Sequence, residues 1–99
     1  LGIAVDEERI PLADEVRSAC EVLGIDPLYL ACEWRLLAVV HPSRAEAVLH
    51  RMHAHPLGAG AAIIGEVSAD HPGTVILRTR LGAERILDMM SGEQLPRIC

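Results

Sequence analysis

A thiol stands on the final residue of the chain, Cys99, at the end of the run Leu95-Pro96-Arg97-Ile98-Cys99. A cysteine with nothing after it can enter the active site of another protein, which an internal cysteine cannot do. From Gly92 to Leu95 the sequence has neither helical nor alternating periodicity, so residues 91–99 read as a mobile tail. Extended at about 3.3 Å per residue, such a tail reaches ~30 Å. Its chemistry would be that of a nucleophilic thiol. The terminal carboxylate beside it disfavours the thiolate. The plain alternative is a frayed chain end. Prenylation is excluded, because it needs a cysteine where Pro96 stands.

Other residues carry weaker signals. His50, His53 and His55 invite a zinc reading, but no cysteine or second histidine pair has the spacing to complete a site, so no metal is expected. Gly58 and Gly60 can bring bare backbone to a phosphate, yet they lack the strand-to-helix setting of a dinucleotide fingerprint; a loop that needs glycine conformations is the alternative. Arg78 and Arg80 share one face of an expected strand, where they can bind an anion or simply face solvent. Cys20 lies on an apolar helical stripe and reads as a small core residue.

The elements that must position these groups follow from periodicity and punctuation. A helix is predicted over Asp14 to Leu23, with Val16, Ala19, Cys20 and Leu23 on one face and Gly24 as its exit. Asp26-Pro27 begins a turn through Leu30. The apolar run Leu36 to Val40 predicts a strand buried on both faces. Ser43-Arg44-Ala45-Glu46 fits a capping box for a second helix, whose stripe is Ala45, Val48, Leu49 and Met52 and which Pro56 ends. Strands are predicted over Ala62 to Val67, Thr74 to Leu81 and Arg85 to Met89, with a turn at Asp70-His71-Pro72-Gly73 and a two-residue hairpin at Gly82-Ala83. In the second of these, alternation predicts one wetter face. The sum is a two-layer α/β sandwich, helices on one face of a largely antiparallel four-stranded sheet.

Composition narrows the function classes. Ninety-nine residues make one domain. No apolar stretch approaches the ~18 residues of a membrane span, so no membrane partner is expected. A net charge of −5, one Trp, one Tyr and no Phe argue against nucleic-acid binding. Three cysteines cannot all pair internally and no secretory segment opens the chain, which fits a cytoplasmic location. The opening Leu1 in place of Met suggests a piece of a longer chain.

Five stretches together resemble the HypE family of hydrogenase maturation factors: Glu15-Val16-Arg17 through Leu23-Gly24, Asp26-Pro27-Leu28-Tyr29-Leu30-Ala31, His55-Pro56-Leu57-Gly58, Ala62-Ile63-Ile64-Gly65-Glu66-Val67, and the terminal Leu95 to Cys99. The match runs from about Ile10 to Cys99. The resemblance implies residues 1–90 as a carboxyl-terminal domain of the aminoimidazole ribonucleotide synthetase-related superfamily, with 91–99 as its tail. It also implies an activity for the full-length protein: Cys99, in the motif Pro96-Arg97-Ile98, accepts a carbamoyl group, and ATP-driven dehydration turns it into a thiocyanate for the cyanide ligands of [NiFe] hydrogenases.

The implied partners are a HypF-like carbamoyltransferase, a HypC-HypD-like iron scaffold complex and a second copy through a preceding domain. That preceding domain would hold most of the ATP and Mg²⁺, leaving this chain alone inactive. The resemblance assigns Glu33 as candidate base and His55 as a group that positions phosphate or relays a proton; a solvated turn residue and a helix-end histidine are the plain alternatives. Cys32 and Trp34 replace the family's Asn and Gly around that glutamate. If the family's Gly adopts a positive φ, Trp34 reshapes the loop, because its Cβ clashes there. A non-catalytic module that uses the tail as a docking peptide is the rival reading.

Overall fold

A computed structural model describes residues 1–29 and 35–88. Its sheet has four strands in the order β2-β1-β3-β4, where β1 is Gly2–Asp6, β2 Gly65–Ser68, β3 Val75–Arg78 and β4 Glu84–Ile86. The β1–β2 and β3–β4 pairings are antiparallel, and the inner pair β1–β3 is parallel. The protein is therefore α/β with a mixed, mostly antiparallel sheet.

One strand is a correction. Leu36 to Val40 forms no strand, and Leu36, Leu37 and Val39 are exposed. The opening residues take the vacant place in the sheet. An apolar run supplies side chains to bury but not a hydrogen-bonding partner, and β2 and β3 offer their edges to Gly2–Asp6 instead. The approach is close. A Cβ on Gly2 would collide with the carbonyls of Asp70 and His71, and one on Gly65 with the carbonyl of Ala4.

Ile76 and Leu77, neighbours on β3 and so on opposite faces, are both buried, Leu77 completely. The wetter face expected there is absent at the strand's centre. The β3–β4 hairpin also differs from expectation. Thr79 N–H bonds to Ala83 O at 2.8 Å and Gly82 N–H to Thr79 O at 3.0 Å, so the loop is Arg80-Leu81-Gly82. Gly82 ends that loop in the left-handed region at φ 84°, which a type I turn closed by a bulge requires. Arg80 and Leu81 thereby leave the strand. A second tight turn joins β2 to β3, where Gly73 has φ 74° and His71 φ 48°.

The sheet belongs to a compact unit comprising Leu1–Pro11 and Val40–Asp88, which also contains α2, Ala45–His53. Its stripe of Ala45, Val48, Leu49 and Met52 is half-buried, while His50, Arg51 and His53 are exposed. The capping box does not form. Ser43 lies in a 3-10 turn, Pro42–Arg44, and its N–H donates to His41 Nδ1 at 3.2 Å. Pro42 starts this turn early, and the histidine before it supplies the acceptor.

Leu12–Val39 belongs to a second unit and contains α1, Asp14–Leu23. The helix ends as expected on Gly24 at φ 67°, whose N–H reaches the Cys20 and Glu21 carbonyls. Of the predicted stripe only Cys20 is buried. A 3-10 turn over Pro27–Tyr29 follows, opened by Leu28 N–H donating to Asp26 Oδ1 at 3.0 Å.

Candidate functional site

Cys99, the motif Pro96, Arg97 and Ile98, and the candidate base Glu33 lie outside the described residues. His55, Gly58 and Gly60 lie inside them, on one self-bonded loop after α2. His55 N–H donates to Met52 O at 3.1 Å, Gly58 N–H to His55 O at 2.9 Å, and Ala61 N–H to Gly58 O at 3.0 Å. Pro56 fixes the backbone of the 3-10 turn Pro56–Gly58, and His55, extended at φ −90° and ψ 137°, caps it.

The cap defines the imidazole. Leu57 N–H donates to His55 Nδ1 at 3.1 Å, so Nδ1 is the lone-pair nitrogen and the ring hydrogen sits on Nε2. His53 is oriented the opposite way, its Nε2–H donating to Ala61 O at 2.7 Å. The two rings are thus each committed to main chain through a different nitrogen. Among the described residues no three His, Cys, Asp or Glu side chains converge to hold a metal.

The glycines of this loop have different jobs. A Cβ on Gly58 would collide with the Met52 carbonyl, so the bare backbone there admits the chain's own main chain. Gly60 faces open space. Neither has a positive φ, so the need at Gly58 is for room rather than for a left-handed turn.

Arg78 is already engaged. Its Nη2 donates to Asp6 Oδ2 at 3.1 Å, and its Nε lies 2.7 Å from Oδ1, a charge contact whose N–H is not aligned on that oxygen. Nη1 lies 3.7 Å from Glu66 Oε1, and Arg9 Nε approaches Asp6 at 3.8 Å. Arg80, in the hairpin loop, offers its N–H to Glu7 Oε1 at 3.4 Å. A cavity of about 210 Å³ lined by Asp6, Glu8, Arg9, Arg78 and Thr79 sits at this cluster, and of the residues weighed from sequence Arg78 alone lines it. The alternating pattern of β3 placed Arg78 on a face but carried no sign of Asp6, 72 positions away. Among the described residues no helix is long and apolar enough to cross a membrane.

Comparisons with known proteins extend these observations. The chain is 57% identical over all 99 residues to carbamoyl dehydratase HypE of Rhizobium leguminosarum bv. viciae, covering 28% of that protein. A solved structure of hydrogenase maturation protein HypE in complex with ATP is 42% identical with a TM-score of 0.87, over 99% of this chain and 30% of that one. A solved HypE-HypF complex contains a chain 42% identical with a TM-score of 0.81, over 88% of this chain and 28% of that one. The chain therefore spans less than a third of the length of the relatives it matches, and its resemblance to HypE holds from end to end. Residues 1–78 match the family described as "AIR synthase related protein, C-terminal domain", and the chain belongs to that family.

Proposed function

We propose that this chain is the carboxyl-terminal domain, residues 1–90 with the tail 91–99, of a HypE-like ATP-dependent carbamoyl dehydratase, and that Cys99 is its carrier. The observation that carries the reading is the 57% identity to a carbamoyl dehydratase over an alignment that spans all 99 residues of the chain. Carbamoyl transfer forms a bond from the Cys99 sulfur to the carbamoyl carbon and breaks that carbon's bond to the oxygen of the partner's activated carbamoyl donor, which departs as the leaving group while the thiol proton is lost. Phosphorylation of the carbamoyl oxygen by ATP releases ADP and makes that oxygen a leaving group. Loss of inorganic phosphate and of the nitrogen-bound protons leaves an S–C≡N thiocyanate.

In this scheme Glu33 removes a proton from nitrogen, His55 contacts an oxygen of the phosphorylated group, and Pro96, Arg97 and Ile98 guide the tail. ATP and Mg²⁺ are held chiefly by the portion of the protein that precedes this chain. Gly58 is filled by Met52 and Arg78 is paired with Asp6, so neither supports a nucleotide cradle here. The isolated chain is accordingly inactive. The carbamoyl donor is a HypF-like carbamoyltransferase, in keeping with a relative solved as a HypE-HypF complex. The product passes to a HypC-HypD-like scaffold, and the full-length protein is a cytoplasmic homodimer through its preceding domain.

The test is mass spectrometry of the full-length protein after incubation with the carbamoyltransferase, carbamoyl phosphate and ATP. A gain of about 43 Da at Cys99, falling to about 25 Da as ATP drives the loss of water, and neither gain in Cys99→Ala, is the expected result. An adduct that persists in Cys99→Ala overturns the reading, and a tail that docks without any adduct favours the non-catalytic module.

A further inference from the structure

We infer that His55 serves the proposed dehydration as a neutral hydrogen-bond donor through Nε2–H, binding an anionic oxygen of the phosphorylated carbamoyl group, and does not carry a proton. The inference rests on the reading above and gives His55 one role where sequence left two. Leu57 N–H occupies the Nδ1 lone pair at 3.1 Å. A neutral imidazole has one donor and one acceptor nitrogen, so the acceptor is spent on the backbone and the donor is what remains. To act as a base, His55 would have to surrender the cap that starts the turn Pro56–Gly58. To act as an acid it would have to give up its only ring hydrogen, which leaves an imidazolate.

The surrounding loop makes the ring a fixed donor. His55 is anchored at three points: its N–H on Met52 O, its carbonyl under Gly58 N–H, and its Nδ1 under Leu57 N–H. Gly58 cannot move toward Met52, because their main chains already touch. The side chain is exposed, and among the described residues nothing bonds Nε2. A preorganised neutral donor aimed at developing negative charge works without reorganisation during the reaction. His41 has the same backbone cap, Ser43 N–H on Nδ1 at 3.2 Å, with the Ser43 hydroxyl 2.8 Å from that nitrogen, and provides an internal comparison.

Two measurements on the full-length protein test this. The first assigns the histidine tautomers by long-range ¹H–¹⁵N correlation. His55 and His41 should both show the Nε2–H form at neutral pH, and ATP with the carbamoylated tail should shift the His55 Nε2 signal alone. A Nδ1–H or charged His55, or an unmoved signal, overturns the inference whatever the activity.

The second measures thiocyanate formation against pH for two variants. His55→Asn keeps a cap acceptor near Nδ1 and loses the outer donor, so kcat/KM should fall on the order of 10²-fold with the limbs of the pH profile unmoved. His55→Gln, which keeps an outer N–H donor, should recover part of that loss. Full activity in His55→Asn would reduce the residue to a cap, and a vanished limb would make it a proton carrier; either result overturns the donor role. Both leave the Cys99 adduct untouched, so failure here is separable from failure of the proposed function.

Discussion

Asp6 and Arg78 face each other directly across the parallel β1–β3 pair and meet at two points, Nε near Oδ1 at 2.7 Å and Nη2 on Oδ2 at 3.1 Å. The guanidinium meets the carboxylate with one hydrogen bond from Nη2 and a charge contact at Nε, a two-point approach that a lysine's single ammonium cannot reproduce. The side chains are 39% and 25% exposed for Arg78 and Asp6, so water screens much of the attraction. Arg78→Lys should lower unfolding stability by about 1 kcal/mol, and a double-mutant cycle with Asp6→Asn should give coupling of that order. Urea unfolding at low and high salt measures it; coupling indistinguishable from zero at both contradicts the pairing.

The loop that carries His55 tolerates change unevenly. Gly58→Ala drives a methyl group into the Met52 carbonyl and should cost on the order of 2 kcal/mol in thermal or urea unfolding. Gly60→Ala meets open space and should be neutral or stabilise by a few tenths of a kcal/mol. Equal effects at the two positions would be inconsistent with this geometry.

Leu77 is completely buried at the centre of β3. Leu77→Ala should therefore cost about 2–5 kcal/mol, the transfer term plus the cavity left behind. A loss below about 1 kcal/mol would mean that the site collapses freely.

Gly82→Ala probes the hairpin. No neighbour obstructs a Cβ there, so the expected cost of about 1 kcal/mol comes from φ 84° alone. Gly82→Asn should recover part of it, since asparagine accepts that backbone region more readily.

Glu33→Gln separates the two chemical stages proposed for Cys99. The variant should accept the carbamoyl group and then stall, holding a gain of about 43 Da where the parent proceeds to about 25 Da as water is lost. Conversion at the parent's rate would remove Glu33 from the role of base.

Some of the architecture was legible because its causes are local. Helix α1 runs over Asp14–Leu23 as its apolar spacing predicts, and Gly24 takes the left-handed exit that its position after a helix requires. The ends of strands were less legible. Arg80 and Leu81 continue the alternation of β3, but Gly82 needs a three-residue loop and pulls both out of the strand. The exchange of Leu36 to Val40 for Gly2–Asp6 was illegible in principle, since strand membership depends on which edge a segment reaches. For the site, the Pro after His55 marked the end of the helix, but the choice of ring nitrogen became visible only with Leu57 N–H in place. Asp6 was missed because its partner is set by register across 72 positions.

The inner position of β1 has a consequence for biosynthesis. Its antiparallel neighbour begins at Gly65 and its parallel neighbour at Val75, so the ribosome delivers β1 long before either strand it pairs with. At about 5–20 residues per second, Asp6 waits roughly 4–14 s for Arg78 to be synthesised. Over that interval Ile3 and Val5 lack both of the strands they pair with in the folded sheet, which leaves an apolar segment open to chaperones that shield unpaired stretches.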